Sequence, residues 1–200
     1  MQSIVFATGN ANKVQEANIA LGEAFQIISL KDIGCEEELP EDHPTLEGNA
    51  LQKARYVYEH YNTPCFSEDT GLEVEALAGA PGVFSARFAG PGRDSEANMS
   101  LLLEKLQGND NRRARFRTVI ALILDDGTEH LFEGIVEGRI AGQKSGGQGF
   151  GYDPVFIPKG HNRSFAEMSM REKNEISHRA RAIAKLKAFL LELAASLGRP

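Results

Sequence analysis

A chain of 200 residues, 42% of them hydrophobic, is long enough to bury a substantial core in one domain without staples. Its formal charge of −6 argues against a general nucleic-acid coat, and no apolar run approaches the length of a membrane span, so neither nucleic acid nor membrane is an expected partner. Cys35 and Cys65 match neither a CxxC motif nor a disulfide framework, and the N-terminus lacks a signal-peptide core, so a soluble cytoplasmic protein with free thiols is expected.

The first apolar run, Ile4 to Phe6, ends at Thr8-Gly9-Asn10, and Val14, Ala17 and Leu21 then recur at helical spacing. This reads as strand, turn and helix. Asn10 or Asn12 can cap the helix, Gly9 permits close backbone approach, and Lys13 adds a cation to the positive helix end, so the turn can hold phosphate. It is not a Walker loop, for no GxxxxGK[ST] occurs anywhere. Gln26 to Leu30 is a second strand candidate. Seven acids follow between Asp32 and Glu47 with no Lys or Arg among them, an anionic segment that contains Glu41. Leu46, Ala50, Ala54, Val57 and Tyr61 then mark a helix carrying Lys53 and Arg55. Two βα units in succession favour a parallel arrangement here.

In PCFSEDTGLE, Pro64 to Glu73, a buried strand is expected to stop at two adjacent acids, Glu68 and Asp69, with Thr70-Gly71 turning the chain. Carboxylates beyond a strand end suit Mg²⁺, which takes one or two of them with phosphates and waters; a simple turn or helix cap is the bland reading. GAPGVFSARFAGPG holds too much Gly and Pro to be regular and reads as a long functional loop, with Arg87 a candidate ligand contact. Asp94 or Ser95 caps a helix whose buried stripe is Met99, Leu102, Leu103 and Leu106. Gln107 to Arg113 is the one polar connector able to separate lobes. Phe116 to Leu124 and His130 to Val136 flank Asp125-Asp126-Gly127 and predict a hairpin, making the sheet mixed.

Half of residues 142–151 are glycine, running into Phe150-Gly151-Tyr152-Asp153 and the strand Val155 to Ile157. Phe150 and Tyr152 offer ring faces to a planar base and Asp153 offers acceptors, unless both rings are core and Asp153 is a turn residue. Ser169 to Glu172 fits a capping box. A long helix starts near Ser177 with Ile183, Leu186, Leu190, Leu193 and Leu197 in its stripe. His178 and Arg179 fall in its first turn, where the helix dipole disfavours cations unless an anion is close, which makes them better ligand candidates than Lys185 or Lys187.

The ordered set TGNANK, LPED, SEDTGLEV, GAPGVFSARFAG, FGYDP, FAEM and EKNEISHR, spanning Thr8 to Arg179, closely resembles the inosine triphosphate pyrophosphatase family, which removes purine nucleoside triphosphates such as ITP, dITP and XTP. The resemblance implies an elongated mixed α/β fold, with helices flanking the sheet and two lobes around a central substrate cleft. It also implies a homodimer and a Mg²⁺ cofactor. Position by position it implies that Thr8, Gly9, Asn10, Ala11, Asn12 and Lys13 meet the triphosphate and that Lys53 is a further phosphate or metal-site contact. Glu41, Glu68 and Asp69 would serve the metal, Asp69 would be the catalytic base, and Thr70 would touch substrate. Phe150 would stack on the base, with Gly151, Tyr152, Asp153, Lys173, His178 and Arg179 completing the pocket. Many bacterial members read Asp-Asp-Ser where this chain has Glu68-Asp69-Thr70. The implied reaction, hydrolysis between the α and β phosphorus atoms, needs an oriented water and neutralised phosphates, which these residue types supply. Hypoxanthine and xanthine carry O6 and N1–H where adenine has an amino group and an acceptor, so a hydrogen-bonding pocket would leave groups unpaired with ATP. A pyrophosphatase acting on pyrimidine triphosphates and a nucleotide sensor that does not cleave are the competing readings.

Overall fold

A computed structural model of the protein describes residues 2–196. In chain order the elements are β1 (Gln2–Phe6), α1 (Ala11–Leu21), β2 (Phe25–Ile28), α2 (Leu46–Tyr61), β3 (Cys65–Val74), β4 (Pro81–Gly82), α3 (Ser95–Lys105), β5 (Arg113–Ile123), β6 (Glu129–Ile140), β7 (Phe156–Pro158), α4 (Met170–Ile176) and α5 (His178–Ser196). The fold is mixed α/β: a seven-stranded sheet in the order β2-β1-β3-β5-β6-β7, with β4 on β3. β1 pairs parallel with both β2 and β3, as the two βα units require, and β7 pairs antiparallel with β6. β5 and β6 neighbour each other through the expected hairpin, whose turn is closed by Gly127 N on Leu124 O.

Helix starts follow local chemistry. Asn10 caps α1 by accepting from Asn12 N and Lys13 N, Thr45 caps α2, Asp94 caps α3, and the Ser169–Glu172 capping box opens α4. Leu197, assigned by periodicity to the last helix, lies outside the described residues. The second strand stops at Ile28 rather than Leu30 because the Asp32 carboxylate accepts from both N and Oγ of Ser29 and turns the chain there. The Gly/Pro-rich stretch is less irregular than expected, holding β4 and a 3-10 turn at Ser85–Arg87.

The largest correction concerns the acidic pair. β3 does not end at Glu68 and Asp69; it continues to Val74, so both acids lie inside a strand. Thr70-Gly71 is not a turn. Gly71 is needed instead for close approach, since a Cβ there would sit 2.7 Å from the Gly82 carbonyl oxygen, inside the β3–β4 pairing of Leu72 with Gly82. Gly71→Ala should therefore destabilise by about 1–3 kcal/mol through forced displacement of β4, read as a lower urea midpoint with an unchanged slope.

The chain divides into two compact units, residues 1–69, 118–134 and 179–200, and residues 70–117 and 135–178. The polar connector at Gln107 to Arg113 is not a boundary, for it lies wholly within the second unit; the chain changes unit inside β3, β5 and β6 and again between His178 and Arg179. In the first unit the core joins Phe6 and Phe66, stacked at 4.2 Å, to Ala17 and Leu21 of α1 and to Ile183, Leu186 and Leu190 of α5. In the second, Leu72, Val74, Phe116, Val136 and Phe156 pack with Met99, Leu102 and Leu106 of α3 and with Phe165.

Candidate functional site

Three helices deliver charged and polar side chains to the acids of β3 in the first unit: Lys13 and Glu16 from α1, Asn49 and Lys53 from α2, and Arg179 from α5. Glu68 is fully buried. Arg179 donates to it through Nε at 2.9 Å and Nη2 at 2.8 Å, and Lys13 Nζ lies 3.2 Å away. Burial by itself would push the Glu68 carboxyl up, but the Arg179 and Lys13 cations hold it down to about 2. The remaining arm of Arg179 donates to Glu16 at 2.5 Å. The anion that the helix dipole demands beside Arg179 is thus supplied by two protein carboxylates.

Asp69, the next residue, has a different environment. It is 8% exposed, accepts from Asn49 Nδ2 at 3.0 Å, and has Lys53 Nζ 3.9 Å from Oδ1. Burial raises its carboxyl above the usual range, against the pull of Lys53 and Lys13. Lys53 is itself buried and donates to Glu41 at 2.5 Å and to the Glu68 carbonyl at 2.8 Å. Lys13, lowered chiefly by burial with the Lys53 and Arg179 cations adding to it, keeps 15% of its side chain exposed. Two neighbouring acids therefore carry opposite shifts, one fixed as an anion and the other held basic.

The turn from Thr8 runs into the first residues of α1, and Gly9 to Asn12 are exposed. A Cβ on Gly9 would meet nothing within 4 Å, so the fold itself makes no demand for glycine there. What its absent side chain gives is unobstructed approach to the backbone at a helix N-terminus.

The second unit gathers the FGYD segment. Asp153 and Lys173 form a buried ion pair at 2.6 Å, and Asp153 also accepts from Phe150 N at 2.8 Å. Gly149, at φ 74, is required twice: by that backbone conformation, and because a Cβ would strike the Asp153 carboxylate. The Phe150 ring lies 4.9 Å from Lys173 Nζ and is partly exposed. Tyr152 departs from the ring-face reading. It is buried in the core, its hydroxyl donating to Ser85 O at 2.8 Å, so it shapes the segment from behind. His178 is buried and stacks on Phe116 at 4.6 Å. Thr70 and Gly151 are partly exposed, and Arg87 sits 5.9 Å over the exposed ring of Phe84.

Of the residues singled out in the sequence, Lys13, Glu41, Lys53, Glu68, Asp69 and Arg179 are brought together in one unit, and Phe150, Asp153 and Lys173 in the other. Glu16 and Asn49 were missed. Each had a signal: Glu16 stands three residues after Lys13 and Asn49 four before Lys53, hence on the same helix faces. The donors in the first unit suit a hard divalent cation. Glu41 and Asp69 approach the same Lys53 ammonium, and Mg²⁺ takes one or two carboxylates with phosphate oxygens and water. No three His, Cys, Asp or Glu side chains form a ready ligand set among the described residues, so substrate phosphates would have to complete it.

A family model described as the Ham1 family matches residues 4–189. The dITP/XTP pyrophosphatase of Porphyromonas gingivalis is 54% identical over 192 residues, covering 96% of this chain and 98% of that protein. That of Christiangramia forsetii is 51% identical over 187 residues, covering 94% and 98%. Among solved structures, the Ham1 protein of Staphylococcus aureus superposes with a TM-score of 0.87 at 37% identity, covering 96% of this chain and 99% of that one.

Proposed function

The chain belongs to the Ham1 family, and from that premise we propose that it hydrolyses non-standard purine nucleoside triphosphates, ITP, dITP and XTP, to the monophosphate and pyrophosphate in a Mg²⁺-dependent reaction. The observation that carries this reading is Asp69: a carboxyl raised by burial, 3.9 Å from the Lys53 ammonium and bonded to Asn49, in the unit that also presents exposed residues at a helix N-terminus. Such a group is suited to take the proton from a water attacking the α-phosphorus as the bond to the β-phosphate breaks and pyrophosphate leaves. Lys13 and the Thr8–Lys13 turn at the positive end of α1 bind the phosphates, and Lys53 holds Glu41 and Asp69 against their mutual repulsion. Glu68, anionic at neutral pH, fixes the Lys13 ammonium and the Arg179 guanidinium. Glu41 and Asp69 would hold the Mg²⁺, which would supply charge neutralisation on the phosphates and the leaving pyrophosphate.

For the base we assign Phe150 as the stacking surface, with Asp153 and Lys173 holding it in place and Thr70, Arg87, Gly151 and His178 as further contacts. Phe150→Ala should raise KM for ITP about tenfold or more, from the ~1–3 kcal/mol typical of a base–aromatic stack, with little change in kcat. The whole chain is read as one such domain, a homodimer working in the cytoplasm; sedimentation of the purified protein checks the dimer. The deciding experiment is pyrophosphate release from ITP, XTP, dITP, ATP, GTP and UTP with and without Mg²⁺. Equal rates on ATP sink the specificity, and undiminished rates after chelation sink the metal dependence.

A further inference from the structure

The acidic segment that carries Glu41 is not left to itself. Three side chains from one stretch of α2 hold it: Lys53 on the Glu41 carboxylate at 2.5 Å, Gln52 accepting from Asp42 N at 2.9 Å, and Asn49 accepting from His43 N at 2.8 Å. Asn49 differs from the other two because its second function reaches β3. A backbone N–H only donates, so the amide atom facing His43 is the oxygen, and the amide NH2 is thereby turned to Asp69 Oδ2 at 3.0 Å. Asn49 is 1% exposed, so both bonds are made in the interior. With Oδ2 accepting from the amide, the other oxygen of Asp69, Oδ1, lies 3.9 Å from the Lys53 ammonium that Glu41 shares.

We propose that Asn49 is a positioning residue that presents Asp69 and Glu41 as one preformed pair to a divalent cation. The proposal rests on the reading of those two acids as the metal carboxylates. Groups that orient a ligating carboxylate typically account for 10–100-fold in metal affinity. Asn49 acts on both ligands at once, on Asp69 by a direct bond and on Glu41 through the backbone of the segment two residues away.

The test is Mn²⁺ titration of the metal-free full-length protein by calorimetry, with Mn²⁺ standing in for Mg²⁺. Asn49→Ser is expected to weaken binding about 10- to 100-fold, and the near-isosteric Asn49→Leu to do the same. Gln52→Leu, which removes the neighbouring hold on Asp42 but leaves Asp69 bonded, is expected to leave the affinity unchanged. In an Asp69→Asn background, Asn49→Ser is expected to cost clearly less than in the parent, only the part that acts on Glu41 through His43 N remaining. A purely structural Asn49 would lower the unfolding midpoint yet leave Mn²⁺ affinity intact, or give the same loss in both backgrounds, and either result overturns the proposal. Wild-type protein that binds no Mn²⁺ removes the metal reading and this proposal with it. Protein that binds Mn²⁺ with the expected Asn49 dependence but releases no pyrophosphate from ITP keeps the proposal and overturns the hydrolytic function instead.

Discussion

Asp69→Asn is expected to lower kcat for ITP about 10²–10⁴-fold, the usual contribution of a general base, while leaving the metal-free protein at least as stable as the parent. The two halves of that outcome have one cause. Burial lifts the Asp69 carboxyl above its ordinary 3.8, so the native state binds the proton more tightly than the unfolded chain does. Ionised Asp69 therefore subtracts stability above its folded pKa, and the penalty fades as pH falls toward 3.8. An amide of the same shape carries no such penalty at neutral pH and still accepts from Asn49. Steady-state kinetics and urea unfolding of the same preparation check both halves. A variant that keeps near-parental turnover would remove Asp69 from the chemistry, and one that unfolds would show that the charge was structural.

The largest stability effect is expected at Arg179. Arg179→Met leaves Glu68 and Glu16, 0% and 2% exposed, without the guanidinium that binds both. Removing one partner of a buried ion pair typically costs about 3–5 kcal/mol, because the remaining charge stays buried. The same network sets an acid limit. Glu68 is held at about 2 against an ordinary 4.5, so its stabilising contribution is complete above 4.5 and is lost as pH falls from there through about 2. Arg179→Met should flatten that part of the acid unfolding curve. Converting Glu68 and Glu16 to glutamine alongside Arg179→Met should recover much of the loss; failure to recover would show that the arginine's packing, not its charge, matters.

The sequence already contained the alternation of strands and helices, the helix starts at Asn10 or Asn12 and at Asp94 or Ser95, and most of the charged residues gathered around Glu68 and Asp69. These are local signals: periodicity, a cap and a turn are each decided by residues within about a helical turn of one another. Glu68 and Asp69 could be seen as paired acids but were misplaced at a strand end, because a buried run interrupted by charges looks finished when the countercharges are not visible. The countercharges are Lys13, Lys53 and Arg179, the last of them 111 residues away from Glu68. Only the packing of α1, α2 and α5 around β3 lets two carboxylates continue a strand through a core. The same distance explains the opposite shifts of the two neighbours. Composition gives Glu68 and Asp69 nearly the same chemistry; tertiary placement sets one against two close cations and the other against the Asn49 amide and the far side of a shared lysine. Tyr152 makes the converse point, for its ring is as apolar and planar in sequence as that of Phe150, and only burial against Ser85 separates a core side chain from a candidate binding surface. Sequence determined which chemistry the chain carries, since residue types and local spacing are written there. Tertiary structure decided which of those groups are spent on one another and which remain basic enough to act, since that depends on charges and burial contributed from distant parts of the chain.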